Sequence, residues 1–78
     1  MKKELRKYAK ALFQSILENN LTRCQHILEK VNDKAKKQII LELDDEGFMP
    51  IHIAAGLNHS RIVELLLEQH NQKNINIY

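Results

Sequence analysis

A chain of 78 residues with 44% hydrophobic and 28% charged residues is globular in composition and has room for one small domain. Its single cysteine, Cys24, excludes an internal disulfide, and a lone thiol suits a reducing compartment. A net charge of +2 is too small to point to nucleic acid, no apolar run approaches the roughly 18–20 residues of a membrane span, and the basic start "MKKELRKYAKAL" lacks the apolar core of a secretory signal.

The first segment, Lys3 to Glu18, reads as an amphipathic helix. Leu5, Tyr8, Ala9, Leu12, Phe13, Ile16 and Leu17 recur at three- and four-residue steps, with no glycine or proline between them. Asn19 and Asn20 follow, and asparagine tolerates a left-handed turn better than any residue but glycine. Thr22 and Gln25 have the spacing of a capping pair for a second helix over Thr22–Val31. Asn32 and Asp33 are expected to end it. The next stretch, "KAKKQIILEL" (34–43), is ambiguous between strand and helical turn.

"DDEG" at Asp44–Gly47 is a turn. Pro50 suits the first turn of a helix, where its missing N–H costs nothing. A short third helix is expected over Pro50–Gly56, a reversal at Asn58, and a fourth helix over Ser60–Gln69. The remaining residues, "HNQKNINIY", carry no helical period. The order is two helical hairpins joined by a long connection.

The hairpins resemble each other. Leu12–Glu29 lies on Ile51–Glu68 without a gap at an offset of 39 residues, so that Asn19 falls on Asn58, Cys24 on Val63, and Ile27 and Leu28 on Leu66 and Leu67. At about 100° per residue, Ile62, Val63, Leu65, Leu66 and Leu67 spread over roughly 200°, more than the single stripe of a helix covered on one side. The last helix therefore expects neighbours on two sides. Leu21, Cys24, Ile27, Leu28 and Val31 fit within roughly 120°, which leaves the second helix one wet face.

"DDEGFMPIHIAAGLNHSRIVELLLEQ" resembles one ankyrin repeat. It supplies Asp44, the turn Gly47, Pro50, Ile51 for leucine, His52, Ala54, Ala55, His59, Ile62, Val63 and Leu65–Leu67 in the family's order. Met49 stands for the family's threonine, Asn58 for its turn glycine and His70 for the glycine after the second helix. The first repeat matches only through its helices, and the 39-residue offset exceeds the family's roughly 33. The resemblance implies an all-α fold, a single domain over 1–78 built of ankyrin-type helix–turn–helix repeats. Residues 3–31 would be a cap-like repeat, 32–43 an inserted connection, 44–70 the ankyrin repeat, and 71–78 a tail similar to the start of a further repeat. The N-terminal hairpin has the polar outer face that the end of a solenoid needs, and the C-terminal hairpin looks like an interior repeat.

Side chains with chemistry to offer fit this frame. His26, His52, His59 and His70 have no ligand-like spacing among them, so no metal is expected. The resemblance assigns His52 and His59 to structure, their imidazoles bonding turns and neighbouring repeats, together with Gly47, Pro50, Ala54, Ala55 and Asn58. Cys24, on an apolar face, reads as a buried and inert thiol. Asp44, Asp45 and Glu46 read as a solvated turn, and Lys3, Arg6, Lys7 and Lys10 as a solvated helix face diluted by Glu4.

No nucleophile–base pair is in view, so neither an enzyme nor a cofactor is expected. The resemblance implies noncatalytic protein–protein interaction through hairpin tips and inner helices, with Asp45, Glu46, Phe48, Gly56 and Leu57 as candidate contacts. Phe48 and Leu57 are the candidate hot spots, though Phe48 has an alternative seat folded back over the 33–43 segment. The partner expected is another protein, with a homo-oligomer through the C-terminal face left open; no nucleic acid and no membrane span are expected. The alternative is a truncated remnant that self-associates through the open face of its last hairpin, without a specific ligand. A cytoplasmic location is expected, or export to a host if the source is bacterial.

Overall fold

The computed structural model describes residues 3–71. Helix α1 (Lys3–Leu17) buries the stripe its spacing prescribes: Ala9, Leu12 and Ile16 are inside, flanked by half-buried Leu5 and Tyr8. Ser15 shares that buried face, and its hydroxyl donates to the Ala11 carbonyl one turn back at 2.8 Å, so the polar atom goes inside satisfied. Asn19 then takes φ 55°, and the Asn20 N–H closes the turn on the Ser15 carbonyl at 2.8 Å.

Helix α2 (Leu21–Glu29) returns antiparallel along α1 and buries Cys24, Ile27 and Leu28. Its cap is not the expected Thr22–Gln25 pair. Asn20 caps instead, its carboxamide oxygen accepting from the Arg23 N–H at 3.1 Å, and Thr22 lies exposed inside the first turn. Asparagine is among the best N-caps, and the turn that follows Asn19 leaves the Asn20 side chain over the unpaired N–H groups.

The ambiguous connection is a helix. Asn32 does not only end α2; its side chain accepts from the Ala35 N–H at 2.8 Å and starts α3 (Asp33–Ile40). Ile39 and Ile40 are 0% and 2% exposed, and α3 packs against both α1 and α5. The expected insertion is thus part of the core. Each such isoleucine contributes about 1.5–3 kcal/mol relative to exposure.

After a turn at Gly47 with φ 88°, α4 (Pro50–Gly56) starts on a buried Pro50 and buries Ala54. A second reversal through Asn58, φ 62°, leads into α5 (Ser60–Asn71). Helix α4 lies beside α1 and α5 beside α2, so the two hairpins stack side by side. Ser15 and Ala54, at equivalent places, are both buried and small, which lets the inner helices approach closely.

Helix α5 has neighbours on more than one side, as its apolar spread requires: α4, α2 and α3 all pack on it, and Ile62 and Leu66 are fully buried. The far edge of that spread stays open. Leu67 is 44% exposed where its equivalent in the first hairpin, Leu28, is 2% exposed, because the second hairpin covers Leu28. The described residues form five helices and no strand, and none of these helices is long and apolar enough to cross a membrane. The tail expected over 71–78 begins with the last residue of α5, and 72–78 lie outside the described residues.

Candidate functional site

The segment between α3 and α4 is a finger built by Asp44. Its main-chain N–H donates to the Phe48 carbonyl at 2.9 Å, and its own carbonyl accepts from the Gly47 N–H at 3.0 Å. Its carboxylate Oδ1 accepts from the N–H groups of Glu46 at 2.9 Å and Phe48 at 2.8 Å. One aspartate thus ties both strands of the turn. Gly47 supplies the left-handed residue the loop needs, with open space around its Cα.

His52 stiffens the junction of finger and helix. Met49 precedes α4 and has no side-chain oxygen to cap it. His52, three residues on, reaches back, and its Nδ1 accepts from the Met49 N–H at 3.3 Å. This bond stays inside its own first turn and does not reach the neighbouring repeat. The Phe48 ring stands edge-on to the imidazole, centroids 6.5 Å apart at 85°. Phe48 is 48% exposed, so it is an open aromatic surface propped by His52 and is not folded away over the 33–43 segment. His59 is half-buried at the register of Asn20, and its main chain closes the second reversal onto Ala54 at 2.9 Å.

The finger and the two inner helices enclose an open groove of about 950 Å³. All five residues expected to contact a partner, Asp45, Glu46, Phe48, Gly56 and Leu57, line it. Sequence reasoning missed its other wall, made by Arg6, Lys10, Phe13 and Leu17 of α1, and its upper edge at Leu43. The 39-residue offset carries that information: Leu17 is the equivalent of Gly56, and Arg6 of Asp45. Among the described residues the large exposed apolar side chains are Leu17, Leu41, Leu43, Phe48, Leu57 and Leu67, and four of these six line this one groove.

The groove is electrically split. The equivalent of Pro50 in the first hairpin is Ala11, so the first two turns of α1, residues 3–10, stand where the second hairpin has its finger. Arg6 and Lys10 project from those turns. Glu42, Asp44, Asp45 and Glu46 face them from the finger. Among the described residues no ion pair joins the two walls; the pairs present, Arg23–Glu18 and Lys36–Asp33 at 3.9 Å, lie elsewhere.

The other sites fall to structure. Cys24 is fully buried, and burial pushes its thiol from 9.0 up to about 11, with the charge of Arg23 opposing. At neutral pH it is a neutral core side chain rather than a nucleophile. Among the described residues no group of three His, Cys, Asp or Glu side chains is placed to hold a metal ion.

Residues 46–78 match the family model of the ankyrin repeat, from the finger through α4 and α5 to the end of the sequence. No curated protein and no solved structure matches the chain. The match falls on the hairpin whose finger, buried proline and packed inner and outer helices have just been described. Over those residues, fewer than half of the chain, the sequence is similar to the ankyrin repeat family.

Proposed function

We propose that this chain is a noncatalytic protein-binding module and that its groove between α1, α4 and the finger holds the partner. Ankyrin repeats are in general protein-interaction modules. The observation that carries the reading to this groove is the convergence there of Leu17, Leu43, Phe48 and Leu57, all large and exposed. Apolar side chains scattered singly over a surface need no explanation, whereas several drawn together between charged rims mark an interaction site. Phe48 is the anchor: it is aromatic, exposed, and stands edge-on to His52.

In this reading the first hairpin, 3–31, is a cap. Arg23 is exposed at the place where the second hairpin has buried Ile62, so the outward face of the cap is wetted.

Affinity capture with the wild-type chain and with Phe48→Ala/Leu57→Ala as paired control tests the reading. Both side chains are substantially exposed, so the variant keeps its helical circular dichroism and its melting temperature. A protein retained by the wild type and lost by the variant is the expected result. Identical captured sets from the two baits would remove the groove from consideration.

A further inference from the structure

We propose that the partner segment for this groove is charged on both edges. It lays an apolar stripe against Phe13, Leu17, Phe48 and Leu57, turns an acidic side chain toward Arg6 and Lys10, and turns a basic one toward Asp45 and Glu46. This rests on the reading of the groove as the partner site and names the chemistry that site selects.

The argument is one of compensation. The two walls carry opposite charges that do not pair with each other among the described residues. A purely apolar segment lying between them would take Arg6, Lys10, Asp45 and Glu46 partly out of water with nothing in exchange, and such desolvation is costly. A segment bearing one acid and one base on opposite edges pairs both walls at once. It also fixes its own direction in the groove, because reversal puts like charges together.

The same split argues against polyanions. Arg6 and Lys10 alone would suit a phosphate backbone or an anionic membrane. Glu42, Asp45 and Glu46 face them across the groove and repel the rest of such a partner. Asp44 is not available for pairing in the same degree, since its Oδ1 already accepts two main-chain N–H groups.

The test uses a displayed library of random peptides, about 12 residues long, selected in parallel on the full wild-type chain and on three variants. These are Arg6→Glu/Lys10→Glu, Asp45→Lys/Glu46→Lys and Phe48→Ala/Leu57→Ala. The four charged side chains are exposed, so reversal leaves the fold intact, which circular dichroism and melting verify. Peptides selected on the wild type are expected to combine apolar residues with both an acid and a base. Synthesised, the best of them should lose at least about tenfold in affinity on either charge reversal. A chain with both walls reversed should prefer the peptide with its acid and base exchanged. Peptides without that charge pattern, lost on Phe48→Ala/Leu57→Ala but indifferent to both reversals, would overturn the two-edged partner and leave the groove standing. Peptides indifferent to Phe48→Ala/Leu57→Ala, or no enrichment at all, would remove the groove as well. Wild-type affinity for a random single-stranded oligonucleotide or for anionic vesicles above that for any peptide would also overturn the proposal.

Discussion

Asn19 and Asn58 occupy the same backbone state at the same point of two hairpins 39 residues apart, with φ 55° and 62° and matching closures around them. The Asn19 N–H donates to Ile16 at 3.0 Å and that of Asn58 to Ala55 at 3.1 Å. The next residues close onto Ser15 at 2.8 Å and Ala54 at 2.9 Å. The left-handed region costs an ordinary L-residue about 1–2 kcal/mol, asparagine less and glycine nothing. Asn58→Gly should therefore stabilise the chain, by at most about 1 kcal/mol because glycine also loosens the unfolded state. Asn58→Ala should cost about 1 kcal/mol. Urea melts of the three proteins check the order; a glycine variant weaker than wild type would contradict it.

The finger depends on one carboxylate. Asp44→Ala removes the acceptor of two main-chain N–H groups at a half-buried place, at an expected cost of about 1–2 kcal/mol. Asp44→Asn keeps a carbonyl oxygen and should lose less. Phe48 is placed by the same turn, so Asp44→Ala should also weaken partner binding more than its exposure alone suggests. Hydrogen exchange at the amides of Glu46 and Phe48 reads the opening directly, and unchanged protection would refute the account.

Cys24 makes stability fall at alkaline pH. Its thiol stays protonated in the folded chain up to about 11 but ionises near 9.0 when unfolded. The contribution is fully present below pH 9.0 and is lost as pH rises through about 11, the loss being on the order of 2–3 kcal/mol. The difference between wild type and Cys24→Ala isolates it from lysines and tyrosines that titrate nearby. At pH 8 alkylation of the native thiol should be slow and limited by unfolding of the chain, since Cys24 is fully buried in the shared core. Rapid labelling of folded protein would overturn this.

Helix α3 is expected to hold the core together. Ile39→Ala should cost about 2–5 kcal/mol, a large part of the stability a domain of this size has, whereas Ile39→Val should cost about 0.5–1.5 kcal/mol and keep the fold. Far-ultraviolet circular dichroism against urea measures both. Two near-neutral substitutions would mean that 33–40 is only a connector.

Much of this was legible in the sequence, for reasons that particular residues show. The four long periodic stretches and the turns at Asn19, Gly47 and Asn58 are local matters of spacing and φ, and a sequence displays them. Helix α3 was not legible, because eight residues with two adjacent isoleucines fit strand and helix alike. Tertiary burial against α1 and α5 decides the case. Spacing alone favours Thr22 over Asn20, because the residue that caps depends on where the preceding turn releases the chain. The near side of the groove followed from the resemblance. Its far side, Arg6 to Leu17, did not, since it arises only when a second hairpin is laid beside the first.

Because α3 touches both the first helix of the chain and the last, the molecule is a closed circuit of contacts rather than a row of neighbours. A row can fray from either end, one unit at a time, and each unit then exchanges its amide protons on its own schedule. A circuit opens everywhere or nowhere. Protons buried in α1, α3 and α5 should therefore leave at one common rate, and a partner gripping the groove should slow all of them together.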